Sequence, residues 1–196
     1  VHDKKQSYSN CGAVLDKVVK HGGVVVKQAS VWMSMMDRCY SDKAQIRRPR
    51  YKGCVVSDYF MTYSNFEEWC NVQVGFNSLD DFGRSFELDK DLLVKGNKIY
   101  SENTCVFIPQ EINQVLEKAN ASRGEYPIGV CFDKNRNKYA SKVKKFGKVV
   151  NLGRYNTVIE AFNAYKQAKE AHLKELATKW KSQIDERAYL ALINYE

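Results

Sequence analysis

The chain has 196 residues and a formal net charge of +8, and this length suits one domain or two small ones. A hydrophobic fraction of 44% is enough for ordinary cores, and the longest apolar runs are far too short to span a membrane. The first residues carry no apolar segment of the signal-peptide kind, so we expect a cytoplasmic protein with no membrane partner.

The six cysteines are scattered, and no two form a C-x-x-C pair, so a zinc ribbon or a redox motif is not indicated. An even number leaves disulfides possible. The length of the chain, its few cysteines and the lack of a secretion signal favour buried free thiols in a reducing cytosol. The cysteines are Cys11, Cys39, Cys54, Cys70, Cys105 and Cys131.

Positive charge is concentrated in one part of the chain. Residues 121–181 carry 14 Lys and Arg against 5 Asp and Glu, so this segment holds +9 and the remainder −1. A basic segment joined to a nearly neutral one indicates a polyanionic partner, most commonly nucleic acid. The alternative is a lysine-rich surface without a partner, which a diffuse excess of charge would favour.

In chain order, residues 1–30 predict only a helical turn and a short strand, and their role is open. Ser30 can cap a helix whose Met and Trp positions recur at helical spacing and form a core face. Residues 41–50 are polar and basic, and Pro49 bars a continuous helix, so an exposed loop is predicted. This loop is either a solvated connector or a contact for phosphates.

Residues 88–113 are the stretch around which a site can form. A strand leads to a turn at residues 95–97, then a second extended element, then a helix that opens near Pro109. Asp89 and Asp91 stand at its start, and Asn103 and Asn113 stand at its middle and end. A β-hairpin that runs into a helix can bring such oxygen ligands around one hard cation. The alternative is a pair of exposed carboxylates at the end of a strand.

The basic segment predicts three strands and a helix. Residues 128–132, 138–145 and 148–155 are extended, and period-two alternation places Tyr139 and Val143 inside and the lysines outside. Thr157-Val-Ile-Glu160 is a capping-box pattern that opens a long helix. Residues 182–195 predict a separate terminal helix.

This segment resembles the Apetala-type, ethylene-response-factor DNA-binding domain, in the form appended to phage homing endonucleases. The matching residues are Gly129-Val130, Lys138-Tyr139-Ala140, Val143, Leu152-Gly153, Tyr155, Thr157, Glu160-Ala161 and Ala164-Tyr165. The resemblance implies that the sheet lies in the major groove with the helix behind it. By position, the residues that face DNA are Lys138, Lys142, Lys144 and Asn151, with Arg136 and Lys148 at phosphates. Cys131 and Val149 replace base-reading arginines, so phosphate affinity is expected more than base choice.

Residues 32–120 resemble a phage HNH endonuclease, through Trp32, Met36, Arg38-Cys39-Tyr40, Tyr51-Lys52-Gly53, Phe66, Trp69 and the hairpin with its helix. The resemblance implies a ββα-metal fold in which Asp89 and Asn113 bind Mg²⁺ or Mn²⁺ and Asn103 braces the hairpin. Lys90 stands where the family has its histidine base. A lysine accepts a proton only when its pKa is strongly lowered, so Asp91 could act instead, or the activity could be lost. Phosphate contacts are expected from Arg38, Arg47, Arg48 and Arg50.

These observations predict an α+β chain with a ββα-metal domain followed by a three-stranded antiparallel sheet packed on a helix. The predicted segments are 1–30, 31–120 (nuclease), 121–181 (DNA-binding) and 182–196 (terminal helix). The function expected is that of a metal-dependent, homing-type DNA endonuclease acting on double-stranded DNA, with a monomer favoured and a host-cell cytoplasmic location if phage-encoded. The alternatives are a non-catalytic DNA-binding protein on a degenerate HNH scaffold and an RNA-binding module.

Overall fold

A computed structural model describes residues 11–116 and 125–195. The chain forms two compact units, Val1–Ile108 and Pro109–Glu196. Each unit combines helices with small sheets, which confirms the predicted α+β class. The predicted junction at residues 121–125 lies almost wholly outside the described residues, as does the first third of the segment 1–30.

The helices of the first unit supply most of its core. In the described part of this unit they are α1 (Lys27–Tyr40), α2 (Asp42–Arg47), α3 (Asp58–Met61) and α4 (Tyr63–Val72), with a 3₁₀ turn at Pro49–Tyr51. The buried face of α1 consists of Ala29, Trp32, Met35, Met36 and Cys39, so the predicted apolar stripe is core. Its spacing of three and four residues keeps these side chains on one side of the helix.

Two local predictions in this region are wrong. Helix α1 begins at Lys27, and Ser30 lies inside it, where its N–H donates to the Val26 carbonyl. The segment 41–50 is helical rather than a loop, because Ser41 caps α2 by accepting the Ala44 N–H. Pro49 then opens the 3₁₀ turn, a position where its missing N–H costs nothing.

Three two-stranded sheets accompany these helices within residues 11–108. β1 (Lys20–His21) pairs with β2 (Val24–Val25), and β3 (Val55–Val56) pairs in parallel with β5 (Ile99–Tyr100). β4 (Glu87–Asp89) pairs antiparallel with β6 (Val106–Ile108). The hairpin is therefore made by β4 and β6, whereas the element after the predicted turn, β5, pairs elsewhere.

An aromatic cluster anchors β6 against the helices. Phe107 lies opposite Leu88 in the hairpin, and its ring centroid is 5.7 Å from that of Trp69 on α4. Phe60 contacts Trp69 at 4.8 Å, and its carbonyl accepts the indole N–H of Trp32 at 2.7 Å. Edge contacts of this kind add to the burial of large side chains, so the hairpin is held on a rigid base.

The second unit is a helix-backed antiparallel sheet. It contains α5 (Gln110–Leu116), β7 (Val130–Asp133), β8 (Lys138–Lys145), β9 (Lys148–Tyr155), α6 (Val158–Trp180) and α7 (Glu186–Ile193). The strand order is β7-β8-β9. The register shifts between Ser141 and Lys142, because Leu152 bulges from β9. The predicted sheet and its long helix are present.

Helix α6 covers one face of this sheet. The predicted capping box is confirmed, since Thr157 accepts the Glu160 N–H and Glu160 accepts the Thr157 N–H. Ser141 and Val143 are buried beneath the helix, and Lys145 pairs with Glu175 of α6. A Cβ atom at Gly129 would come within 2.0 Å of the Tyr165 ring, so β7 approaches α6 too closely for any side chain.

Two further contacts hold the long helix. Helix α7 buries Ala188 and Leu192 after Asp185 caps it through the Arg187 N–H. Glu111 of α5 accepts hydrogen bonds from Lys179, at 2.6 Å, and from the Trp180 indole N–H. Over residues 11–116 and 125–195, no helix combines the length and the apolar character needed to cross a membrane.

Candidate functional site

Asp89 ends β4, and its carboxylate is tied to the chain that follows. Its Oδ1 accepts the backbone N–H groups of Asp91, at 2.8 Å, and Leu92, at 2.7 Å. Burial raises the pKa of the Asp89 carboxyl, and the charge of Asp91 adds to this, while the two backbone bonds oppose it. A cation beside the second oxygen would offset the cost of ionising this half-buried carboxylate.

Lys90 is buried, with 5% of its surface exposed, and its ammonium group is engaged as a donor. Nζ donates to Asp91 Oδ1 at 2.5 Å and to the Asn97 carbonyl at 2.7 Å. It also lies 5.6 Å from the centroid of the Tyr100 ring. These partners suit a charged lysine, which has donors and no acceptor. The arrangement therefore favours Asp91, whose side chain is 53% exposed, over Lys90 as the group that would activate water.

Asn97 holds the loop between β4 and β5. Its Nδ2 donates to the carbonyls of Lys90, at 2.8 Å, and Ile99, at 2.7 Å. Its Oδ1 accepts the Ile99 N–H at 3.0 Å. One side chain thus satisfies three backbone groups and links the start of the loop to its end. Sequence reasoning placed Asn97 in a turn and missed this role.

The other two predicted asparagines lie in different units. Asn103 is exposed in the turn that precedes β6 in the first unit. Asn113 lies half-exposed on α5 in the second unit. The bracing role of Asn103 and the pairing of Asn113 with Asp89 stay predictions.

Asp89 is the predicted metal ligand at the end of β4, and its surroundings bear on that prediction. Over residues 11–116 and 125–195, no three His, Cys, Asp or Glu side chains form a group that could hold a metal ion. A Mg²⁺ ion can be held by fewer protein ligands, because it keeps several waters and binds through one or two carboxylates. Asp89 offers one carboxylate, whose Oδ1 already accepts two backbone N–H groups.

The predicted phosphate contacts of the first unit gather around Tyr51. The guanidinium carbons of Arg38 and Arg50 lie 5.4 and 5.2 Å from the centroid of the Tyr51 ring. The Nε atom of Arg38 is buried without a hydrogen-bond partner among the described residues. Arg47 and Arg48 are exposed at the end of α2. Two of the four arginines thus lie at cation–π distance from one aromatic ring.

The outer face of the second unit's sheet is the larger basic surface. We call the side of this sheet that faces away from α6 the outer face, and alternation places seven side chains on it besides Cys131 and Ala140. These are Asp133, Lys138, Lys142, Lys144, Val149, Asn151 and Arg154. Lys142 and Lys144 are exposed and form no ion pair with any described residue. Asn151 Oδ1 accepts the Gly153 N–H at 3.3 Å, which fixes the bulge.

Lys138 and Lys148 are the first residues of β8 and β9, and Arg136 lies in the turn before β8. Lys138 donates to the Asn156 side chain, and Lys148 is exposed at the β8–β9 turn. Arg136 lies 3.5 Å from Asp133 Oδ2. Arg154, which sequence reasoning missed, donates through Nε to the same oxygen at 2.8 Å. The position of Arg154 on the outer face follows from its pairing with Ala140 of β8, and a pattern of apolar residues does not reveal this pairing.

Comparisons with protein-family models, with curated proteins and with solved structures found no match to this chain.

Proposed function

We propose that the chain is a metal-dependent DNA endonuclease of the HNH type, which binds double-stranded DNA through the outer face of the sheet. The observation that carries the proposal is this face itself. It presents Lys142 and Lys144 without carboxylate partners, on a sheet whose other side is closed by α6. Unpaired lysines on an exposed sheet face attract phosphates and release the counterions of the DNA.

Asp89 supports the hydrolytic part of the proposal. Its Oδ1 is fixed by two backbone N–H groups, so the carboxylate has one orientation, and its second oxygen would hold the ion. When bound, a divalent ion supplies stabilisation of the charge that develops on the phosphate and the leaving oxygen. Asp91, whose side chain is 53% exposed and whose Oδ1 is oriented by Lys90, would be the group that accepts the proton of the attacking water.

A second candidate function is DNA binding without cleavage. The environment of Lys90 favours it, because a buried ammonium that donates to Asp91 and to the Asn97 carbonyl does not replace a histidine base. In this case the hairpin would be a structural remnant, and the outer face alone would carry the function.

Supercoiled plasmid incubated with Mg²⁺ or Mn²⁺ separates the two candidates. Asp89→Asn keeps an oxygen acceptor for the two backbone N–H groups and removes the charge, so we expect the fold to persist and cleavage to fall at least about 100-fold. Asp58→Asn, at an exposed carboxylate of α3, is the matched control and should cut like the wild type.

Each outcome has one meaning. Cleavage by the wild type that is lost only in Asp89→Asn supports the endonuclease. Binding of the plasmid without cleavage by any protein supports the second candidate. Cleavage that survives in Asp89→Asn contradicts the role of Asp89, and absence of DNA binding contradicts both candidates.

A further inference from the structure

Arg154 and Asp133 form an ion pair that crosses the outer face. Asp133 is on β7 and Arg154 is on β9, so the central strand β8 runs between them. Arg154 lies directly opposite Ala140 of β8, which is only 4% exposed although it belongs to the outer face. The small side chain of Ala140 leaves room for the arginine to pass over β8 and reach Asp133. Adjacent strands lie about 4.8 Å apart, so β7 and β9 are separated by about 10 Å, which the arginine and aspartate side chains cover together.

The pair uses only one side of the guanidinium group. Asp133 Oδ2 accepts the Nε hydrogen at 2.8 Å, and the Arg154 side chain is 38% exposed. Neither Nη group has a hydrogen-bond partner among the described residues. An arginine that is held at Nε presents its two Nη groups as a fixed pair of donors. The guanidinium group therefore lies, partly exposed, on the face that we propose to bind DNA.

Stability does not explain the arrangement. Asp133 is 18% exposed and also lies 3.5 Å from Arg136, so the carboxylate is shared between two cations near the surface. Surface ion pairs contribute little to folding. A phosphate contact does not explain it either, because a carboxylate beside an arginine weakens its attraction for an anion. The carboxylate instead fixes the direction of the donors, which matters for an acceptor of defined geometry.

Guanine in the major groove offers such an acceptor. Its O6 and N7 atoms form a bidentate acceptor pair that matches two parallel N–H donors of arginine. We propose that Arg154, oriented by Asp133, is the residue through which the outer face recognises guanine in duplex DNA. The inference rests on the proposed function, since it requires that this face binds DNA. It assigns the recognition of a base to an arginine that was not among the residues predicted to face DNA.

The test is competitive binding of the full chain to short duplexes with randomised sequence, followed by sequencing of the bound fraction. The wild type should enrich guanine at one position or more by roughly tenfold over the other bases. Arg154→Ala should abolish this enrichment, with only a small loss of affinity for the unselected pool. Arg154→Lys keeps the charge and removes the planar pair of donors, so it should also lose the enrichment.

Asp133→Asn tests the orienting role, and Lys142→Ala is the matched control. Asp133→Asn should reduce the enrichment without reducing the affinity for the unselected pool, because it removes a negative charge from the face. Lys142→Ala should weaken binding to all duplexes alike and leave the enrichment intact. Circular dichroism of each variant checks that the fold is retained.

Three results would overturn the inference: no guanine enrichment by a wild type that binds DNA, enrichment that survives in Arg154→Ala, and enrichment that survives in Arg154→Lys. A wild type that binds none of the duplexes would contradict the proposed function itself, so the two failures are distinguishable.

Discussion

At the scale of single residues, the environment of a side chain decides its chemistry more than its type does. Lys90 occupies the position at which the resemblance expects a base, yet it is buried and donates to Asp91 and to the Asn97 carbonyl. Asn97 has no place in the predicted site, yet its amide satisfies three backbone groups. Sequence reasoning identified the turn at residues 95–97, but the partners of its side chains depend on the folded loop.

Asn97→Ala tests this loop. The change removes three hydrogen bonds and leaves the Lys90 carbonyl and the Ile99 N–H without their Asn97 partner, while the Ile99 carbonyl keeps its bond from Thr104, so the free energy of unfolding should fall by about 2 kcal/mol. Urea denaturation, followed by tryptophan fluorescence, measures the loss. Asn77→Ala, at an exposed loop position, is the control and should change the free energy by less than about 0.5 kcal/mol. Equal effects of the two changes would contradict the role given to Asn97.

His172 makes the stability of the second unit depend on pH. Burial lowers the pKa of His172 from its ordinary value of 6.5. The hydrogen bond and the negative charge of Glu175 act to raise the pKa, but the effect of burial is larger. The charged groups near it are Glu175, Lys145 and Glu111, and the edge of Phe146 packs against its ring. The folded state therefore binds the proton more weakly than the unfolded state does.

The direction in which stability changes with pH follows from this difference in proton affinity between the folded and the unfolded state. The contribution of His172 to stability is complete above about pH 6.5 and is lost as the pH falls below that value, because the unfolded chain takes up the proton first. The midpoint temperature of thermal unfolding should decrease as the pH is lowered from 7.5 to 5.5. His172→Gln should flatten this part of the profile, and a slope that is unchanged in the variant would exclude His172 as its source.

At the scale of elements, the second unit was predictable and the first unit much less so. Strands β8 and β9 have the predicted bounds, because alternation over eight residues and a capping box at Thr157 are strong local signals. The short strands of the first unit carry no such signal, since two or three residues cannot display a period. The pairing of β4 with β6 and of β3 with β5 depends on contacts between distant residues, which a single sequence does not reveal.

Two glycines with similar backbone angles test the packing of the sheet on α6. Gly129 has a φ angle of 80° and a Cβ there would lie 2.0 Å from the Tyr165 ring, while Gly147 has a φ angle of 78° and open space around it. Gly147→Ala should cost only the penalty of a left-handed residue, about 1–2 kcal/mol. Gly129→Ala adds a clash with a buried ring and should cost clearly more. Equal losses in thermal unfolding would contradict the close approach of β7 to α6.

At the scale of the whole molecule, the charge of the sequence and the architecture of the second unit agree. The segment with a net charge of +9 folds into a sheet that is covered by a helix on one face and exposed on the other. Lys142 and Lys144 occupy that exposed face without ion pairs, whereas Lys145 on the covered face pairs with Glu175. Composition predicted a polyanionic partner, and the sheet provides one surface that such a partner can contact.

The most direct test of the account is the salt dependence of binding to a labelled duplex, measured by fluorescence anisotropy. For the double variant Lys142→Ala/Lys144→Ala, binding should weaken at least tenfold, and the slope of log K against log salt should become shallower by about two. Lys166→Ala/Lys174→Ala, on α6, removes the same charge from another surface and should leave the slope within about half a unit of the wild type. Unchanged affinity and slope in the first variant, or an equal loss in both variants, would contradict a DNA-binding outer face.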